Sequence, residues 1–156
     1  VWKWNYRITV EIETPEGVKT GSAVRQVQAR LNLPKLNPDV ADVLYNVMGE
    51  AVVIDLGERG TVFALIGWGS YEEVFSAFPY SKRDSIEFLN YYKNLKKDKK
   101  AELSHDHAKL VTFTDMSDPL SVKLVKGWKF NKKTQKHDPV DDFEALFGAG
   151  VKLKSV

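Results

Sequence analysis

The sequence predicts an α+β fold: a mostly antiparallel β-sheet built from hairpins, with about three helices packed against it. Three observations carry that expectation. Segments of alternating apolar and polar residues recur along the chain and are joined by short turns rich in Gly, Pro and Asp, as hairpin-connected strands require. Other stretches place apolar residues at helical spacing behind a capping residue. The composition is that of a folded domain: 43% of the 156 residues are hydrophobic and 28% charged.

The elements follow in order. Tyr6, Ile8, Val10 and Ile12 alternate with Arg7, Thr9, Glu11 and Glu13, which reads as a strand with one buried face. Thr14-Pro15-Glu16-Gly17 fits a type I turn. A return strand then runs to about Leu31. Its apolar residues change parity between Ala23 and Val24, so a bulge near Val24 is expected. Pro34 and Pro38 mark a loop, and Val40, Val43, Leu44 and Val47 suggest a short helix over 39–47. Ala51–Leu56 and Thr61–Ile66 flank Gly57-Glu58-Arg59-Gly60, the clearest hairpin in the chain. Their near-continuous apolar runs suggest central strands covered on both faces.

Ser70 and Glu73 have capping-box spacing before Val74, Phe75 and Phe78, with Pro79 as the stop. Asp84, followed by Glu87, opens a longer helix with Ile86, Phe88, Leu89, Tyr91, Tyr92 and Leu95 in its apolar stripe. Lysines gather from Lys93 to Lys100, where cations oppose the helix dipole. Leu110–Phe113 and Val122–Val125 read as strands separated by a turn at Asp118-Pro119. Lys126–Lys136 reads as a basic connection holding Trp128 and Phe130. Asp138-Pro139 has the form of an N-cap and first helical residue. Phe143, Leu146 and Phe147 then face inward and Gly148 closes the helix, before a last strand at Val151 and Leu153.

Composition narrows the function classes. With 23 basic and 21 acidic residues, the formal net charge of +2 lacks the basic excess of a dedicated nucleic-acid binder. The absence of cysteine removes disulfides, thiolate metal sites and cysteine nucleophiles. No apolar run approaches the roughly 18 residues that span a bilayer. The chain starts at Val1, and its first residues, Trp2, Lys3, Trp4, Tyr6 and Arg7, interleave aromatics with cations. Such residues collect at membrane–water interfaces. Residues 1–7 are therefore read either as a juxtamembrane segment after an anchor or as a first strand whose aromatics pack inward. Both hold together if Trp2 and Trp4 face out and Tyr6 faces in. Residues 8–156 are expected to form a single globular domain.

Four spaced motifs occur in order: Glu13-Thr14-Pro15-Glu16-Gly17-Val18 with Gly21-Ser22; Gly49 through Gly57; Leu110-Val111-Thr112-Phe113 with Asp115, Asp118-Pro119 and Ser121-Val122; and Phe147-Gly148 with Gly150-Val151. Together they resemble a group of uncharacterised bacterial proteins, mostly alphaproteobacterial, that look like short N-terminal membrane anchors followed by one domain. The resemblance covers most of the chain. It implies a cell-envelope location, anchored in the inner membrane and facing the periplasm. It also implies a chain continuing past the point matching Val156. It brings no catalytic residue with it.

Candidate chemistry is sparse. His105-Asp106-His107 puts two imidazoles on one side of an extended segment, as a divalent metal needs, and Asp115, Asp118 or His137 would complete the set. A solvated loop explains the same residues. Asp141 and Asp142 suit either acid–base chemistry or a helix's first turn. Gly67-Trp68-Gly69-Ser70 leads into a helix but lacks the spacing of a phosphate loop or a nucleophile elbow. Lys126, Trp128, Lys129, Lys132 and Lys133 combine cations and an aromatic for an anionic surface. The first expectation is a non-enzymatic, membrane-tethered binding or assembly module, with an envelope protein or anionic membrane surface as partner and neither nucleic acid nor cofactor involved. The alternatives are a metal-dependent hydrolase using His105 and His107, and a ligand-binding module with an aromatic pocket of Trp68, Phe75 and Tyr92.

Overall fold

The computed structural model describes residues 1–32, 42–67, 69–82 and 84–156. Its fold is α+β, with two antiparallel sheets and three helices among the described residues. Strands β1 (Trp2–Thr14), β2 (Gly17–Leu31), β3 (Val43–Gly49), β4 (Val52–Asp55) and β5 (Thr61–Ala64) come first. Helices α1 (Glu72–Ala77) and α2 (Ser85–Lys93) follow. Then come β6 (Leu110–Phe113), β7 (Val122–Asn131), β8 (Lys136–Asp141), helix α3 (Phe143–Phe147) and β9 (Lys152–Ser155). One sheet has the order β3-β2-β1-β9 and the other β4-β5-β6-β7-β8.

The chain divides into two compact units. The first contains residues 1–7, 24–49 and 66–102. In it the second half of β2 pairs with β3, from Arg25 opposite Gly49 to Leu31 opposite Val43. Residues 43–47 are thus strand, where helical spacing had suggested a helix; Val40, Pro34 and Pro38 lie outside the described residues. Valine and tyrosine suit a pleated, half-buried surface, and pairing with β2 overrides the weak helical pattern. Trp4, Val27, Ala29, Val74, Leu89 and Tyr92 form the core. Around them the packing is ring on ring: Phe75 lies 4.6 Å from Tyr92 and 4.9 Å from Phe88, and Tyr45 stacks on Tyr71 at 4.5 Å. Asp84 caps α2 as expected, its Oδ1 accepting from the Glu87 N–H at 2.9 Å.

Ser70 and Glu73 do not form the expected capping box. Ser70 Oγ accepts from the Gly67 N–H at 2.9 Å, and the N-cap position of α1 falls on Tyr71. The bulge expected at Val24 has no role either. Burial alternates without a break through Ala23, Arg25, Val27 and Ala29, while Val24 is exposed. The inward slot that the pattern seemed to skip is filled by an arginine.

The second unit contains residues 8–23, 50–65 and 103–156. Val10, Ile12, Val52, Ile54, Val62, Leu110, Val125, Phe143 and Val151 are fully or almost fully buried there. The hairpin of β4 and β5 forms with Val52 opposite Ala64 and Asp55 opposite Thr61. Here β4 is a sheet edge with alternating burial, so Val53 faces out rather than being covered on both sides. The basic connection expected at 126–136 is mostly strand: β7 continues to Asn131 and turns back into β8. Asp138 and Pro139 lie in β8, opposite Lys129 and Trp128, and do not start a helix. Proline is tolerated there because β8 is an edge strand. Helix α3 starts four residues later and ends at Gly148, whose φ of 106° is accessible to glycine.

In this unit β2 passes very close to β4. A Cβ built on Gly21 would sit 2.2 Å from the Val53 carbonyl oxygen, a backbone atom that cannot move aside cheaply. Replacing Gly21 with Ala is expected to lower stability by about 1–3 kcal/mol. The reading would be a lower urea midpoint at unchanged slope; an unchanged midpoint would show that the approach is not tight.

Candidate functional site

The first unit holds a polar cluster that gave no sequence signal. The Arg25 side chain is completely buried and its Nη1 donates to both oxygens of Glu73, at 2.9 and 3.0 Å. Tyr6 Oη donates to Glu73 Oε2 at 2.6 Å. Burial, and then the adjacent Glu73 charge, raises the Tyr6 phenol well above its ordinary range. Gly49 lies opposite Arg25, and a Cβ there would fall 3.2 Å from Arg25 Cγ. Glu73 thus receives hydrogen bonds from both Arg25 and Tyr6, and the cluster is a structural device.

Trp2, Lys3 and Trp4 belong to β1. Trp4 is buried, and Trp2 Nε1 donates to Asn90 Oδ1 at 2.8 Å, so both indoles pack inward while Lys3 is exposed. Phe75 and Tyr92 pack against each other in the same core; Trp68 lies outside the described residues.

The metal-like residues disperse over the second unit. His105–His107 form a 3-10 turn capped by Ser104. His105 Nε2 sits 3.1 Å from the Lys154 carbonyl oxygen. Asp115 is held by its own loop, with Oδ1 accepting from Ser117 N at 2.9 Å and Ser117 Oγ at 2.6 Å; these bonds lower its carboxyl pKa. Asp118 caps the turn at Leu120, and His137 rests against the Phe130 ring at 5.3 Å. Among the described residues, no three His, Asp or Glu side chains are grouped to hold a metal ion.

The lysine–aromatic set, in contrast, is brought together on the β7–β8 hairpin. Its turn is fastened by Asn131, whose Oδ1 accepts from the N–H groups of Lys133 and Thr134 at 2.9 and 3.3 Å. Gln135 completes it at φ 58°. Trp128 and Phe130, two apart in β7, point to the same face and are 50% and 47% exposed. Trp128 Nε1 donates to the Asp106 carbonyl at 3.1 Å, which fixes the indole's orientation. Lys126 pairs with Asp141 at 3.3 Å. Lys129, Lys132, Lys133 and Lys136 are exposed. Asp138 is engaged by Asn131 Nδ2 at 2.8 Å. From Lys126 to Asp141 the hairpin carries five lysines and two aspartates.

Comparison with protein-family models, with curated proteins and with solved structures finds no match. Among the described residues, no helix is long and apolar enough to cross a membrane.

Two expectations test the buried cluster. Glu73→Ala removes the carboxylate that faces the buried Arg25 charge and should cost about 3–5 kcal/mol, whereas Arg25→Met with Glu73→Leu should recover most of it; a double variant no better than the single would overturn this. The buried tyrosines of this unit also set an alkaline limit. Burial pushes the Tyr45 and Tyr92 phenols up to about 12, and Tyr6 is raised as well. The unfolded chain releases these protons near pH 10. The stability they contribute is therefore complete below pH 10 and is lost as pH rises through about 12. Tyrosinate absorbance should appear together with loss of far-ultraviolet dichroism; tyrosinate formed in the intact fold by these three residues would contradict it.

Proposed function

We propose that the chain is a non-enzymatic binding or assembly module that works at an anionic membrane surface and makes contact through the β7–β8 hairpin. One observation carries this reading: two half-exposed aromatic rings share a face of a hairpin whose turn and strands carry four exposed lysines. Aromatic side chains gain free energy at the headgroup level. Each lysine near an anionic leaflet adds about 1 kcal/mol. The bond from Trp128 to the Asp106 carbonyl orients the indole before contact, so less freedom is lost on binding.

An anchor ahead of residue 1, as the sequence resemblance implies, would make such a weak contact effective by raising its local concentration. The proposal accordingly places the protein in the bacterial envelope, tethered to the inner membrane and facing the periplasm. The same residues are also suited to stacking nucleic-acid bases, but the near-neutral overall charge favours lipid.

Co-sedimentation with phosphatidylglycerol–phosphatidylcholine vesicles tests the proposal. Binding should be absent on pure phosphatidylcholine and should fall with added salt. Lys129→Glu/Lys132→Glu/Lys133→Glu should abolish it, and Trp128→Ala/Phe130→Ala should weaken it about tenfold, near the worth of two interfacial rings. Undiminished binding by the lysine variant would sink the reading, and tighter binding to single-stranded oligonucleotide than to vesicles would reassign the surface.

A further inference from the structure

The first unit carries two open recesses that meet at one side chain. One, of about 350 Å³, lies between Tyr80, Tyr91, Asn90 and Asn94, with Lys96 and Lys99 at its rim. The other, of about 340 Å³, lies between Tyr80, Tyr45, Phe88, Ser81 and Ser85. Both are open and Tyr80 borders both, so the surface along this side chain is an open track rather than a closed pocket. An extended ligand fits such a track better than a compact one, which needs enclosure to bury most of its surface.

Tyr80 is held rigidly. Its ring stacks on Tyr91 at 4.2 Å and 14°, and its hydroxyl donates to Glu87 Oε1 at 3.1 Å. Glu87 is bonded in turn by Lys82 at 2.6 Å, so the only carboxylate lining the track among the described residues is already neutralised. Lys96 and Lys99 are exposed and have no carboxylate partner among the described residues. The amide of Asn94 is exposed at the same rim, and Ser81 and Ser85 offer hydroxyls further along.

We propose that this track binds a short stretch of an acidic, carboxylate-bearing oligosaccharide. The inner faces of Tyr80 and Tyr91 cover each other, so sugar contact falls to ring faces outside that stack, where the negative face attracts the weakly positive C–H groups on the flat side of a pyranose. Amides and hydroxyls at the edges match sugar hydroxyls as donors and acceptors. Two unpaired lysines beside aromatic rings select a ligand that carries negative charge as well as C–H surface. None of these residues belongs to the β7–β8 hairpin, so the proposal stands apart from membrane contact.

The test is a titration of the folded chain with trigalacturonate, followed by calorimetry and by perturbation of tyrosine ring resonances. Maltotriose and a tetraglutamate peptide serve as neutral and purely charged controls. Trigalacturonate should bind and shift Tyr80 and Tyr91; maltotriose should bind at least tenfold more weakly, and tetraglutamate should leave the rings unshifted. Lys96→Glu/Lys99→Glu, at exposed positions, should weaken trigalacturonate at least tenfold with an unchanged melting temperature. Tyr80→Ala should abolish the ring shifts, and Asn94→Ala keeps the test valid should that variant fold poorly, with an expected loss of about threefold. Lack of trigalacturonate binding, equal binding of tetraglutamate, or insensitivity to the lysine variant would each overturn the proposal.

Discussion

A guanidinium on the inward face of β2 is the constraint around which the first unit is arranged. A buried charge without a partner is among the costliest features a fold can carry, so the position of Arg25 dictates what surrounds it. Glu73 must turn inward from α1, which is why it is not available to cap that helix. Gly49 must stand opposite on β3, leaving space beside the arginine stem. Tyr6 must bring its hydroxyl from β1 to the remaining carboxylate lone pairs. Strands β1, β2, β3 and helix α1 are thereby tied to one polar point. The aromatic rings then fill the space around it, and the Tyr92 hydroxyl donates to the Phe78 carbonyl at 2.8 Å.

What could be read from the chain follows the range of the interactions involved. The α+β class and the hairpin of β4 and β5 were legible because period-two alternation and turn residues act locally. So were the Asp84 cap, the Asp118 turn and the Gly148 stop, each decided within three or four residues. Misreadings arose where a distant partner decides. Val24 looked inward only because an arginine was not expected in the inward slot. Ser70 and Glu73 had capping spacing, yet Glu73 answers to Arg25, forty-eight positions away. Asp138-Pro139 matches a helix start, but the pairing of Pro139 with Trp128 settles it as strand.

The candidate sites divide in the same way. Lys126 to Lys133 and Trp128 are close in sequence, so one hairpin was enough to gather them. His105, His107 and Asp115 needed the fold to assemble them, and it gives Asp115 to a serine-lined turn instead. The track around Tyr80 was not legible at all, because β3, α2 and the residues on either side of α2 all contribute to it. Aromatic residues thus serve two purposes here: most are consumed by the core, while Trp128, Phe130 and the outer tyrosines remain in contact with solvent.

Pro139 on β8 and the tight passage of β2 at Gly21 over β4 have a joint consequence. They act on the two outer strands of the five-stranded sheet, where an unpaired ladder would otherwise invite another chain to join. Proline has no N–H to offer a newcomer, and the backbone at Gly21 already occupies the approach to Val53. Both edges are thereby blunted at those positions. A second chain arriving at either edge would therefore find fewer backbone groups with which to pair.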